Sequence, residues 1–429
     1  MPMSREFQNR LYPHLPEIAA EFGTPFHIYY ETEIRATGES LKSEFGWNPG
    51  FREFFAVKAL PNPSILKIML EMGFGFDCSS LPEVYMAHQV GAGPDDIMFT
   101  SNNTSRHEYE SVLANGGCIL NLDDISFVSK VPEPFPELIC FRYNPGEKRS
   151  GGGFIGKPKE AKYGVRHDQI VEAYRLAKNL GAKRFGLHTM IVSNELDFRY
   201  FVKTVQMLLA LVEKISKELG VQFEFINIGG GIGIPYRPEQ EQFNLTGLSR
   251  QIEQLFRQFH ESHGYTPRLF MESGRYMTGP HGVLVTTAIN RMSKYFELVG
   301  VDACMSALMR PAVYGAYHQV TVLDGNGQPK DALSNTPLSI VGSLCENWDQ
   351  FVNQHSANAR LLPDIQEGDL VIIHDTGAHG HAMGFQYNGR LRPKELLLCQ
   401  DGRVVLIRRE ENIADYLGTL VFEPKVLRL

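Results

Sequence analysis

Residues 52–78 read REFFAVKALPNPSILKIMLEMGFGFDC. An apolar run, Arg52–Val57, stops at Lys58 and a Pro-Asn-Pro turn. Pro63–Met72 then places apolar residues at helical spacing, and Phe74–Cys78 is a second apolar run. Two short apolar runs separated by one amphipathic segment predict a strand–helix–strand unit with its strands parallel, because the helix carries the chain back to the start of the next strand.

The unit repeats outward in the C-terminal direction. Ile97–Thr100, Cys118–Asn121, Ile139–Tyr143, Phe185–His188, Phe223–Ile228 and Leu269–Glu272 read as further strands, while Leu81–Val90, His167–Leu180 and Phe198–Leu219 have helical spacing. About eight strands alternating with helices over roughly 250 residues predict a (β/α)8 TIM barrel. Upstream, Pro25–Tyr30 (PFHIYY) reads as the strand that opens the series. Past about residue 280, Val283–Ile289, Tyr295–Val301, His318–Leu323, Leu370–His374 and Val404–Arg408 look like antiparallel strands, with turns at Asp324–Gly327 and Asp401–Gly402. The expected organisation is an α/β barrel over 28–282 and a mostly antiparallel β domain over 283–429, joined by residues 1–27.

Bulk properties narrow the function classes. A chain of 429 residues exceeds one ordinary core. A net charge of −7 gives no nucleic-acid footprint, and no apolar run approaches a membrane span. The six cysteines (Cys78, Cys118, Cys140, Cys304, Cys345, Cys399) form no CxxC pair, so neither a metal site nor a disulfide framework is expected. The N-terminal segment carries charges and lacks the apolar stretch of a secretory leader, which points to a reducing, cytoplasmic setting.

Functional residues of a barrel gather at the C-terminal ends of its strands. Lys58 ends one strand, where partial desolvation would free its amine for Schiff-base chemistry; a surface lysine at a loop start fits the position equally well. FDCSSLPE offers Asp77 at a strand end and is also an ordinary helix start. INIGGGIGI (226–234) can expose N–H groups to a phosphate, or be a turn with no ligand; it lacks a P-loop lysine and dinucleotide spacing. Glu272-Ser273-Gly274-Arg275 sets a carboxylate and a guanidinium around a turn, as a site or as an internal salt bridge. In the β domain, MRPAVY (309–314), GSLCEN (342–347) and DTGA…YNGR (375–390) combine small residues with reactive ones, though Cys345 alone would read as a buried structural thiol.

Taken in order, AVKA, FDCSSLPE, GGGIG, ESGR, RPAVY, CEN and DTGAHG…YNGR resemble the fold-type III decarboxylases that use pyridoxal 5'-phosphate (PLP), from about Thr24 to Leu398. Within that group RPAVYGAYH and YNGRLRP look most like diaminopimelate decarboxylase. The resemblance implies an alanine-racemase-like barrel in which Lys58 carries PLP as an aldimine. Gly230, Gly231, Ser193 and the Gly274–Arg275 turn would hold its phosphate, and Glu272 its pyridine nitrogen. Asp77 and Arg142 would join the polar shell near Lys58. Cys345, from a partner subunit, would protonate the carbon that loses CO2. Arg275, Arg310 and Tyr314 would clamp a distal carboxylate, Glu346 would receive the distal ammonium, and Tyr387 would touch cofactor and substrate. These roles imply a homodimer with shared sites.

The chain also departs from the family pattern. Where HxHxGS is usual it has His188-Thr189-Met190-Ile191-Val192-Ser193, so Met190 stands at the ring-stacking position and His188 is expected to support the site from nearby. Ser273 replaces the proline of EPGR, and Asn347 replaces a serine. The expected activity is decarboxylation of meso-2,6-diaminopimelate to L-lysine. D-ornithine or D-lysine decarboxylation and a PLP-binding homologue without turnover are the alternatives. Racemase activity on the same barrel is disfavoured by the CEN and RPAVY segments.

Overall fold

The computed structural model describes residues 3–150 and 156–423. The chain divides into two compact units, Thr32–Gly279 and Met1–Glu31 with Pro280–Leu429. The first strand, β1 (Phe26–Tyr30), belongs to the second of these.

The unit Thr32–Gly279 contains β2 (Arg52–Ala56), β3 (Gly75–Cys78), β4 (Ile97–Phe99), β5 (Ile119–Leu122), β6 (Leu138–Asn144), β7 (Val165–Arg166), β8 (Arg184–His188), β9 (Phe223–Asn227) and β10 (Arg268–Met271). Eight of them run parallel in the order β5-β4-β3-β2-β10-β9-β8-β6, and pairing of β5 with β6 closes the barrel; β7 only extends β6. These are the eight runs picked out by pattern. Strands covered on both faces read as continuous apolar stretches, which is why so little alternation shows.

Phe54, Met98, Cys140, Phe225 and Phe270 fill the barrel centre. A Cβ on Gly186 would lie 2.0 Å from the Phe225 ring, so glycine is needed there to admit it. The Pro-Asn-Pro turn is a helix start: the Asn62 side chain accepts from Ser64 N–H, with Pro63 at the first turn of helix Pro63–Glu71. Asp197 caps the long helix Phe198–Leu219 in the same way, and left-handed Gly220 ends it.

The other unit adds β11 (Gly282–Ser293), β12 (Glu297–Val301), β13 (Val320–Leu323), β14 (Leu338–Val341), β15 (Gln350–Val352), β16 (Leu370–Ile373), β17 (Lys394–Leu398) and β18 (Val404–Arg408). Its sheet runs β15-β14-β12-β11-β1-β17-β18, with β16 joining β11 to β13. Most pairings are antiparallel; β1 with β17 and β12 with β14 are parallel. The segment Pro25–Tyr30, read as opening the barrel series at residue 28, therefore lies in this sheet instead: Phe26 pairs with both Val285 and Lys394. All five residues of β1 are buried, so its hydrophobicity cannot distinguish the two settings, and only register decides.

Candidate active site

The C-terminal ends of the barrel strands converge on a buried polar cluster. Lys58 follows β2 in a 3-10 turn, Val57–Ala59, with Nζ 3.8 Å from Asp77 Oδ2 at the end of β3. Asp77 is buried and its Oδ1 has no hydrogen-bond partner. Burial pushes its carboxyl up, neighbouring Glu272 adds to the rise, and Lys58 opposes both. The Lys58 side chain itself is 52% exposed, so the desolvation expected from its strand-end position is partial.

On the strand next to β2, Glu272 follows β10. Its Oε1 accepts from Asn227 Nδ2 at 2.7 Å, and its Oε2 lies 3.3 Å from His188 Nε2. Asn121 on β5 donates from Nδ2 to His188 Nδ1 at 2.8 Å, which leaves the ring proton on Nε2, the nitrogen nearer Glu272. Burial alone would raise the Glu272 carboxyl, yet His188, and beyond it Lys58 and Arg142, hold it below the usual carboxylate range. His188 thus supports the site from beside Glu272, as its spacing implied.

Asn227 ties this acid to the glycine loop, its Oδ1 accepting from Gly229 N–H at 2.8 Å. The loop has no room for larger residues. A Cβ on Gly230 would sit 2.2 Å from the Glu272 carbonyl oxygen, and one on Gly231 2.4 Å from the Val192 carbonyl oxygen. The segment carrying Ser193 packs alongside, with Glu195 N–H donating to Gly231 O and Gly233 N–H to Glu195 O, both at 2.9 Å. Gly230 N–H rests on Met190 Sδ at 3.2 Å, a weak acceptor that a phosphate oxygen would outcompete. Arg142 donates to Met190 O at 3.2 Å and lies over the Tyr163 ring. Gly274 packs close to Ala59, and Arg275 donates to the Tyr236 hydroxyl. An amine, an ionised acid and a glycine cradle in one barrel mouth are the donor set that PLP requires.

The sequence profile of the family described as "Pyridoxal-dependent decarboxylase, pyridoxal binding domain" matches residues 31–279. The chain belongs to this family of PLP-dependent decarboxylases. It is 44% identical to Protein TabA of Pseudomonas amygdali pv. tabaci over 99% of this chain and 97% of TabA. It is 36% identical to the diaminopimelate decarboxylase of Methanothermobacter thermautotrophicus, covering 94% of this chain and 92% of that one. In three dimensions it is similar to diaminopimelate decarboxylase from M. jannaschii in complex with L-lysine, with a TM-score of 0.85, 28% identity and coverage of 95% and 94%.

The decarboxylase's remaining site candidates lie in the other unit. Cys345 is exposed, not the buried thiol that its residue type alone suggests. Asn388 Nδ2 donates to Cys345 O at 3.1 Å and Arg390 to Ser343 O at 2.7 Å, so the GSLCEN and YNGR segments form one cluster with Glu346 and half-exposed Tyr387. Asn388 and Gly389 both take positive φ to make that turn. Arg310 opens a short helix, Arg310–Tyr314; it is buried, with Nε 3.4 Å from His318 Nε2, while Tyr314 is half exposed. Asn121, Asn227, Glu53 and Tyr236 were not among the residues singled out by sequence. A polar residue inside an apolar run was the available signal for the first three.

Proposed function

We propose that this decarboxylase acts on meso-2,6-diaminopimelate, releasing CO2 and L-lysine, as a homodimer with shared sites in a reducing compartment. The observation that carries the reading is the buried chain Asn121–His188–Glu272–Asn227, which keeps a carboxylate charged on the strand next to that of a half-exposed lysine. Lys58 holds the cofactor, and Glu272 holds a proton at its ring nitrogen. Gly230, Gly231, Ser193 and the Gly274–Arg275 turn take its phosphate. PLP supplies an electron sink for the pair left by the broken C–CO2 bond. Met190 covers the ring, while Asp77, Arg142 and His188 set the charge around it.

Arg275, Arg310 and Tyr314 orient the substrate's distal carboxylate, Glu346 its ammonium, and Tyr387 the bound pair. The partner subunit's Cys345 delivers the proton that replaces CO2, a role suited to an exposed thiol. The relatives named as diaminopimelate decarboxylases support this substrate. Met190 favours a second reading, decarboxylation of D-ornithine or D-lysine, because a thioether replaces an imidazole over the ring.

A CO2-release assay over diaminopimelate isomers and D- and L-diamino acids, with Lys58→Ala as control, tests both. Release from the meso isomer above all others is the expected result. No release from any diaminopimelate sinks the first reading, and release confined to D-ornithine or D-lysine establishes the second. Cofactor absorbance without CO2 from any substrate would mark a binding homologue.

A further inference from the structure

Glu53 is a buried carboxyl outside the roles assigned above. Side chains alternate along β2, so Phe54 enters the barrel centre and Glu53 faces the opposite side. Glu53 is register partner to Met271, the residue before Glu272. It is 0% exposed; its Oε1 accepts the backbone N–H of Ser273, and its Oε2 has no hydrogen-bond partner. The charged groups that act on it most are two further carboxyls, Glu272 and Asp77, and among the described residues it has no ion pair. A carboxylate in that setting would be both desolvated and repelled, whereas the neutral acid is not.

We propose that Glu53 is a positioning residue of this site: a neutral carboxylic acid that seats the Ser273 amide and, through it, the turn from Glu272 to Arg275. That turn is pinned on its other side by Glu272 N–H to Gly229 O at 2.9 Å, so Glu53 and the glycine loop hold Glu272 between them. The coupling needs an N–H at position 273, which serine has and proline lacks. It accounts for Ser273 in ESGR, because proline there would leave both oxygens of a fully buried acid without partners. Burial, with Glu272 and Asp77 adding to it, pushes the Glu53 carboxyl up to about 8, so the acid ionises only in mildly alkaline solution.

The inference rests on the reading that Glu272 serves PLP, and its test separates the two. In cofactor-free protein near neutral pH, the infrared carbonyl band of protonated carboxyls should lose intensity in Glu53→Gln. In PLP titrations followed by absorbance, Glu53→Gln, which stays neutral and still accepts the N–H, should match the parent below pH 7 and lose its change in affinity near pH 8. Ser273→Ala keeps the N–H and should bind normally, while Glu53→Ala and Ser273→Pro should each weaken PLP binding about tenfold, the loss of one buried hydrogen bond. The double variant should be no weaker than either single one. An unchanged infrared band in Glu53→Gln, or normal PLP affinity in Glu53→Ala, overturns the proposal. A parent protein that binds no PLP overturns the functional reading instead, leaving the infrared result to judge Glu53.

Discussion

Glu272 stays charged inside the barrel because Asn227 donates to one of its oxygens, His188 lies 3.3 Å from the other, and Asn121 fixes the imidazole proton. His188→Leu removes one of these supports and should raise the Glu272 carboxyl, weakening PLP binding about ten- to a hundredfold, as expected for the loss of a buried contact with a charged group; an absorbance titration reads it. Lys58→Ala should abolish the visible absorbance of bound cofactor and lower turnover by at least about a thousandfold, since it removes the amine beside Asp77. Asp77 and Glu53 carry carboxyls raised in the folded state. Each therefore contributes stability that is full below its unfolded value and lost as pH rises through the folded one, for Glu53 at about 8. Glu272, lowered in the fold, acts oppositely: its contribution is present above the ordinary carboxylate range and lost in acid. The Tm of cofactor-free protein should decline between about pH 4.5 and 8, and Glu53→Gln should flatten that decline.

At the level of elements, the glycine loop is the most constrained connection in the barrel. Gly230→Ala drives a methyl into the Glu272 carbonyl and should weaken PLP binding more than tenfold, a measure of how tightly loop and acid are packed. Gly186→Ala drives one into Phe225 in the barrel core, and should cost roughly 1–3 kcal/mol in urea unfolding. The eight barrel strands were legible because each is a short apolar run bounded by turns, and Lys58 and Glu272 because they stand where such runs stop. Asn121, Asn227 and Glu53 were not, since a polar residue in an apolar run declares its partner only when strands far apart in sequence become neighbours. The 3-10 turn that carries Lys58 escaped for a related reason: a single turn leaves no mark on hydrophobic periodicity. The clamp read for Arg275, Arg310 and Tyr314 had the family pattern as its only warrant.

For the whole molecule, shared sites make a sharp prediction. If the partner subunit's Cys345 serves each Lys58, then Lys58→Ala and Cys345→Ala homodimers are both inactive. Mixing and reassociating them should restore about a quarter of parental activity, because half of the dimers are hybrids with one intact site. No recovery after demonstrated subunit exchange would show that each chain serves itself.

The second unit is also spread over the chain in an unusual way. β1 lies between β11 and β17, and 366 residues separate Tyr29 from its partner Glu395. On the ribosome, at about 5–20 residues per second, β1 emerges roughly 20–70 s before β17 exists. The barrel strands meet their neighbours far sooner. Until β11 is made, Phe26, Ile28 and Tyr30, which end wholly buried, have no sheet to enter, and after it pairs with β1 the other edge of β1 stays open until β17 is made.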